Sequence, residues 1–170
     1  MNRIVNITYI MVFVFSFFIK GSMNGQIDNQ GDKKGQFDFW KGDWDVFKYG
    51  TDTLLGHSHI EVILNGFVIK ESYSSSSSAY EGTSLSKFNS LIDKWEQYWV
   101  DNTGATLHLK GHYINDKMIL SNQETHRQRI VHNRLTWTNL NGTGVRQKWE
   151  QSRDGKRWRV IFDGHYLPKN

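Results

Sequence analysis

The chain has 170 residues, room for one domain with a sizeable core, and no cysteine, so neither disulfides nor thiolate metal sites can hold it together. Its formal charge of +4 falls to +2 once Arg3 and Lys20 of the N-terminal segment are set aside, leaving 19 basic against 17 acidic residues. That balance is too mild to indicate a nucleic-acid partner.

Residues 1–25 read as a secretory signal peptide: Arg3, the apolar run Ile10 to Ile19, then small and polar residues from Gly21 to Gly25. The run is shorter than the roughly 20 residues that span a bilayer, and no second run follows it, so a membrane anchor is the second reading. Cleavage before Gln26 is expected, giving a soluble exported protein, periplasmic or secreted. No cysteine follows the run, which excludes a lipid anchor of the bacterial lipoprotein type. Residues 26–36, rich in Gly, Asp, Asn and Lys, are expected to form a flexible leader, and residues 37–170 the folded domain.

That domain opens on Phe37-Asp38-Phe39-Trp40-Lys41-Gly42-Asp43-Trp44, where a glycine two residues before a tryptophan allows a tight turn that drives an indole under one end of a closed sheet. All seven tryptophans lie between Trp40 and Trp158 and can bury large areas without cross-links. Alternation then predicts strands at about 43–49, 57–64, 67–73, 82–88, 95–101, 105–113, 117–122, 129–139, 144–152 and 157–166. Asn65-Gly66, Thr103-Gly104, Asn115-Asp116, Asn139 to Gly144 and Asp154-Gly155 supply turn residues that tolerate positive φ. Between Lys87 and Trp99 the spacing of Phe88, Leu91, Ile92, Trp95 and Trp99 also suits a helix, but Asn89, Ser90 and Asp93 favour a hairpin turn. Ser74 to Ser78 is expected to be a loop tip or frayed strand end that could cover an opening. Short strands joined in sequence leave exposed edges unless the sheet closes, so the fold class is all-β, an up-and-down antiparallel barrel of roughly 8 to 10 strands. A two-sheet sandwich is the alternative.

In a barrel every second residue faces inward. With Trp44 and Val46 inside, the row Phe67, Ile69, Glu71 and Tyr73 shares one face, which puts a carboxylate into an apolar cavity if that face is the inner one. Burial there favours the protonated acid unless a cation pairs with it, and Arg134 and Arg146 are the candidate cations. The other open placement has Glu71 facing solvent. Tyr73, Trp99 and Trp149 are candidate stacking surfaces. His57 and His59 share a face, as do His108 and His112, but no cysteine or set of carboxylates completes a zinc site, and no metal is expected. The sequence lacks Gly-x-Ser-x-Gly and cysteine, so it shows no poised nucleophile.

Phe37-Asp38-Phe39-Trp40-x-Gly-x-Trp44, Gly66 to Tyr73, Lys94-Trp95-Glu96-Gln97-Tyr98-Trp99-Val100-Asp101, Gly104, Gly111, Arg146 to Gly155 and Phe162-Asp163-Gly164-His165-Tyr166 together resemble the bacterial domain of unknown function 1579. The resemblance covers about Phe37 to Leu167 and implies a lipocalin-like barrel of the calycin group, small-molecule binders, with no settled biochemical role. It further implies that Arg157 or Arg159 stacks on Trp44 to close the barrel floor. Some calycins bind haem through a C-terminal histidine, the position of His165. The Gly42-Asp43-Trp44-Asp45-Val46-Phe47 segment departs from the glycine-rich pattern of those barrels, so no cofactor is expected.

Three functions stay open. The first is a small-molecule binder using Glu71, Tyr73, Trp99, Arg134, Arg146 and Trp149. The second is a lyase, isomerase or cyclase with Glu71 as acid or base and Tyr73 or His112 as partner. The third is a structural or interaction domain whose barrel is filled by its own side chains.

Overall fold

The computed structural model describes residues 33–126 and 128–169, so the expected signal peptide and residues 26–32 of the expected leader lie outside the described residues. A 3-10 helix, Gly35–Trp40, takes in the end of the stretch read as leader. It precedes ten strands: β1 Gly42–Lys48, β2 Leu54–Ile63, β3 Val68–Ser75, β4 Glu81–Asn89, β5 Lys94–Asp101, β6 Thr106–Ile114, β7 Lys117–His126, β8 Arg129–Asn139, β9 Val145–Ser152 and β10 Trp158–Pro168. Each pairs antiparallel with its sequence neighbour, and β1 pairs with β10 from Trp44↔Pro168 to Lys48↔Gly164. The result is a closed up-and-down barrel of ten strands, as the alternation predicts, and it is consistent with the calycin or lipocalin-like architecture that the resemblance implies.

The hairpins form where turn chemistry calls for them. Asn115 and Asp116 both take positive φ, 50° and 58°, the two-residue geometry whose twist matches that of its flanking strands. Between β4 and β5 the chain turns rather than coils. Leu91 there is 94% exposed, so the helical spacing around it has no face to bury.

The first residue of β1, the last of β2 and the start of β3 meet at one end, the floor, and the opposite ends form the mouth. The floor is packed from below by the 3-10 helix. Phe37 stacks on Trp40 with centroids 5.0 Å apart and meets Trp95 and Trp137 edge-on at 5.7 and 5.2 Å. Trp40 also touches Tyr166 at 6.1 Å, and Trp44 donates its indole N–H to the Trp40 carbonyl at 3.0 Å. Trp44 is thus the collar of the plug, while Phe37 and Trp40, both fully buried, fill it.

Arg157 and Arg159 do not close the floor. Because β10 runs antiparallel to β1, its first residues lie at the mouth, and the neighbour it gives Trp44 is Tyr166, at 6.5 Å. Arg157 pairs instead with Asp154 in its own turn, at 2.9 Å. Among the described residues no helix is long and apolar enough to cross a membrane.

Candidate functional site

The middle of the barrel is hollow because β4, above Phe88 at the floor, carries only small side chains inward. Gly82, Ser84 and Ser86 stand across from Trp99 and Gln97 of β5. A Cβ on Gly82 would come within 2.2 Å of the Trp99 ring, so the absence of a side chain is what lets this indole lie flat across β4. The cavity above the floor has a volume of about 230 Å³. It is bounded by Trp99 and Leu107 on one side, Leu135 and Trp149 on another, and Phe162 and Tyr166 of the last strand. This is smaller than the roughly 300–1,000 Å³ of most ligand pockets.

Glu71 lies at the base of this space, 2% exposed, in the inward phase that the sequence offers. Its Oε1 accepts from Ser58 Oγ at 3.0 Å and the Tyr166 hydroxyl at 3.4 Å, and its Oε2 from Ser84 Oγ at 3.1 Å. Ser84 is itself held by Gln97 Nε2, at 3.3 Å, which also reaches Ser86 at 3.1 Å. Desolvation pushes the Glu71 carboxyl up to about 7, with the three hydroxyl donors pulling the other way. Burial and the neighbouring carboxylate hold the Tyr166 phenol well above its ordinary range. The Tyr166 hydroxyl also contacts Gln147 Oε1. A protonated Glu71 can therefore donate to Tyr166 while Tyr166 donates to Gln147, and an ionised one can accept from Tyr166.

The aromatic walls are anchored by their polar edges, which leaves their faces free. Trp99 Nε1 donates to Asp101 Oδ2 at 3.2 Å, and Trp149 Nε1 to Asn133 Oδ1 at 3.0 Å. Tyr73 donates to the Leu55 carbonyl at 3.1 Å and Tyr80 to Asp101 at 3.1 Å. Desolvation and that carboxylate push Tyr80 up to about 12.

Four expected ligand residues, Glu71, Tyr73, Trp99 and Trp149, thus line one cavity. Arg134 and Arg146 do not. Arg134 sits between the inward Asn133 and Leu135 and so points outward, where it bonds Glu150 at 3.0 Å and lies 4.1 Å over Trp158. Arg146, next to inward Gln147, makes a two-bond pair with Asp163 at 2.8 and 2.7 Å and covers Tyr49. Glu71 accordingly meets neutral donors rather than a guanidinium.

His112 is likewise exposed on the outer face of β6, out of reach of Glu71. His57 and His59 project outward and hydrogen-bond Asp45 and Asp43 at 2.7 and 2.6 Å, while His108 stacks on Tyr98 at 4.0 Å. The residues not anticipated are Ser58, Ser84, Gln97, Gln147 and Tyr166. Their signal in the sequence is a polar residue at an inward position of an otherwise apolar or small row.

Searches against known proteins place no family on this chain: no family model matches it, and no curated protein matches it.

Proposed function

We propose that this is an exported lipocalin-like protein, akin to the domain of unknown function 1579 group, that binds a small, partly apolar molecule in the barrel. The observation that carries the reading is the Glu71 cavity: a buried carboxyl with hydroxyl donors and no cation, facing about 230 Å³ of space walled by Trp99 and Trp149. Such a site offers stacking faces to a flat apolar body and one donor or acceptor to a polar group. Saturable quenching of tryptophan fluorescence by small aromatic alcohols, weakened by Trp99→Ala and by Glu71→Gln, is the expected result. A folded protein that shows no saturable change across such a panel defeats the proposal.

A second reading has its own support. A carboxyl pushed up to about 7 beside a phenol is suited to moving protons, which fits a lyase, isomerase or cyclase in which Tyr166 stands where Tyr73 or His112 was expected. Turnover abolished by Glu71→Gln with binding retained would favour this reading over simple binding.

A further inference from the structure

A second concavity, of about 410 Å³, lies at the mouth on the side of β8, β9, β10 and the turn that joins the last two. Val131 and Gln151 line it on β8 and β9, with Arg153, Arg157 and Arg159 beside them. Gln151 follows the cavity residue Trp149 by two positions and Arg159 precedes Ile161 by two, so the mouth site is one layer, roughly 7 Å, further along the same strands.

Arg159 owes its direction to a β-bulge. The pairing of β10 with β9 slips between Val160 and Phe162, so that Val160 stands opposite outward Glu150 while Phe162 stands opposite inward Trp149. An unbroken strand with Phe162 inside would turn Arg159 outward. With the bulge, Arg159 falls opposite Gln151, whose amide donates to buried Asn133 Oδ1 at 3.0 Å. Bulges commonly re-aim a side chain in this way.

The acids of this rim are already engaged: Glu124, opposite Val131 on β7, accepts from Asn122 Nδ2 at 2.6 Å. Asp154 accepts from the Lys156 and Arg157 backbone N–H groups at 2.9 and 2.8 Å and from Arg157 Nε at 2.9 Å, contacts that hold its carboxyl well below the usual range. Across the mouth Asp101 is bound by Trp99, Tyr80 and Thr103. Among the described residues, Arg153 and Arg159 have no ion-pair partner. The barrel axis therefore runs from a carboxyl at the base, through an apolar middle, to unneutralised guanidinium groups at the opening.

We infer that the ligand is a small organic carboxylate, seated with its apolar body between Trp99 and Trp149 and its anionic end outward against Arg159 and Arg153. This rests on the cavity reading above and adds the ligand's charge and orientation. A guanidinium offers paired donors that match a carboxylate, and Glu71 disfavours the reverse orientation.

The test is a matched pair of probes, 2-naphthoate and 2-naphthalenemethanol, titrated at neutral pH and low salt by tryptophan fluorescence and calorimetry. The acid is expected to bind about tenfold more tightly than the alcohol, with the gap narrowing as salt rises. In the double variant Arg153→Gln/Arg159→Gln the gap is expected to fall below about threefold while the alcohol binds as before, which also reports that the barrel is intact. Equal affinity for the two probes in the unaltered protein overturns the inference and leaves the cavity reading standing. A gap that persists in the double variant overturns the role of these arginines. Binding of neither probe overturns the cavity reading and the inference with it.

Discussion

The floor and the middle of this barrel use the same strands and the same alternation, yet they differ in what the inward positions carry. At the floor Phe37, Trp40, Trp95, Trp137 and Met118 meet with almost no exposed surface. One layer up, the inward residues shrink to Ser58, Ser84, Ser86 and Gly82, and the space they leave stays open beside Glu71, which Ser58 and Ser84 hold by hydrogen bonds. The floor concentrates apolar burial that stabilises the fold, whereas the middle gives up part of that burial to keep a polar group dry. A hollow barrel without disulfides can tolerate a buried carboxyl because one end is so heavily packed.

The comparison can be broken at either end. Trp40→Ala should have the largest effect, a loss of about 3–5 kcal/mol in urea unfolding, because it removes the centre of the plug and leaves a cavity. A cost under about 1 kcal/mol would show that the floor does not carry the fold.

Next comes the pH dependence of the middle. Glu71 has a folded value near 7, above its ordinary value of 4.5, so the folded chain holds this proton more tightly than the unfolded one does. Stability should therefore be highest below the unfolded value and fall as pH rises through that window, levelling off above about 7. The fall is worth roughly 3 kcal/mol for a shift of this size. Subtracting the pH profile of Glu71→Gln isolates this contribution from the histidines. A variant whose profile superimposes on that of the unaltered protein rules it out.

Gly82→Ala should cost about 1–3 kcal/mol, because the methyl meets the Trp99 ring and the indole must swing into the cavity. A changed tryptophan emission maximum with weaker probe binding is the expected signature. Smallest of all, Arg134→Ala should shift stability by about 1 kcal/mol or less, since its partner lies on the barrel's outer face, and should leave probe binding unchanged. A substantial loss of probe affinity in that variant would reopen the placement of this arginine.

Much of this was legible in the residues. All ten strands follow from alternation and from turn residues such as Asn115-Asp116, because local chemistry sets hairpin positions. The inward phase of Glu71 was readable from Ile69 and Tyr73 beside it. Arg134 and Arg146 suit Glu71 by charge but not by phase: buried Leu135 and Trp137 mark the inward row of β8, and their partners Trp149 and Gln147 that of β9, which leaves both arginines on the outer face. The bulge in β10 left no such trace: Trp158 to Phe162 reads as an unbroken strand, and only the register against β9 reveals the extra residue that turns Arg159 inward. Nor does strand direction follow from a motif, and direction is what separates Arg157 from Trp44 by the length of the barrel.

Both ends of the described chain depart from the floor. Lys33 bonds Asp93 in the β4–β5 turn, and the Lys169 backbone N–H donates to the Asp43 carbonyl at 2.9 Å at the start of β1. A tether joined at the C-terminus would therefore leave from the sealed end and hold the barrel like a cup by its base, with the arginine-edged opening turned toward solution. Immobilising the protein by its C-terminus for surface-binding measurements should leave ligand entry unobstructed.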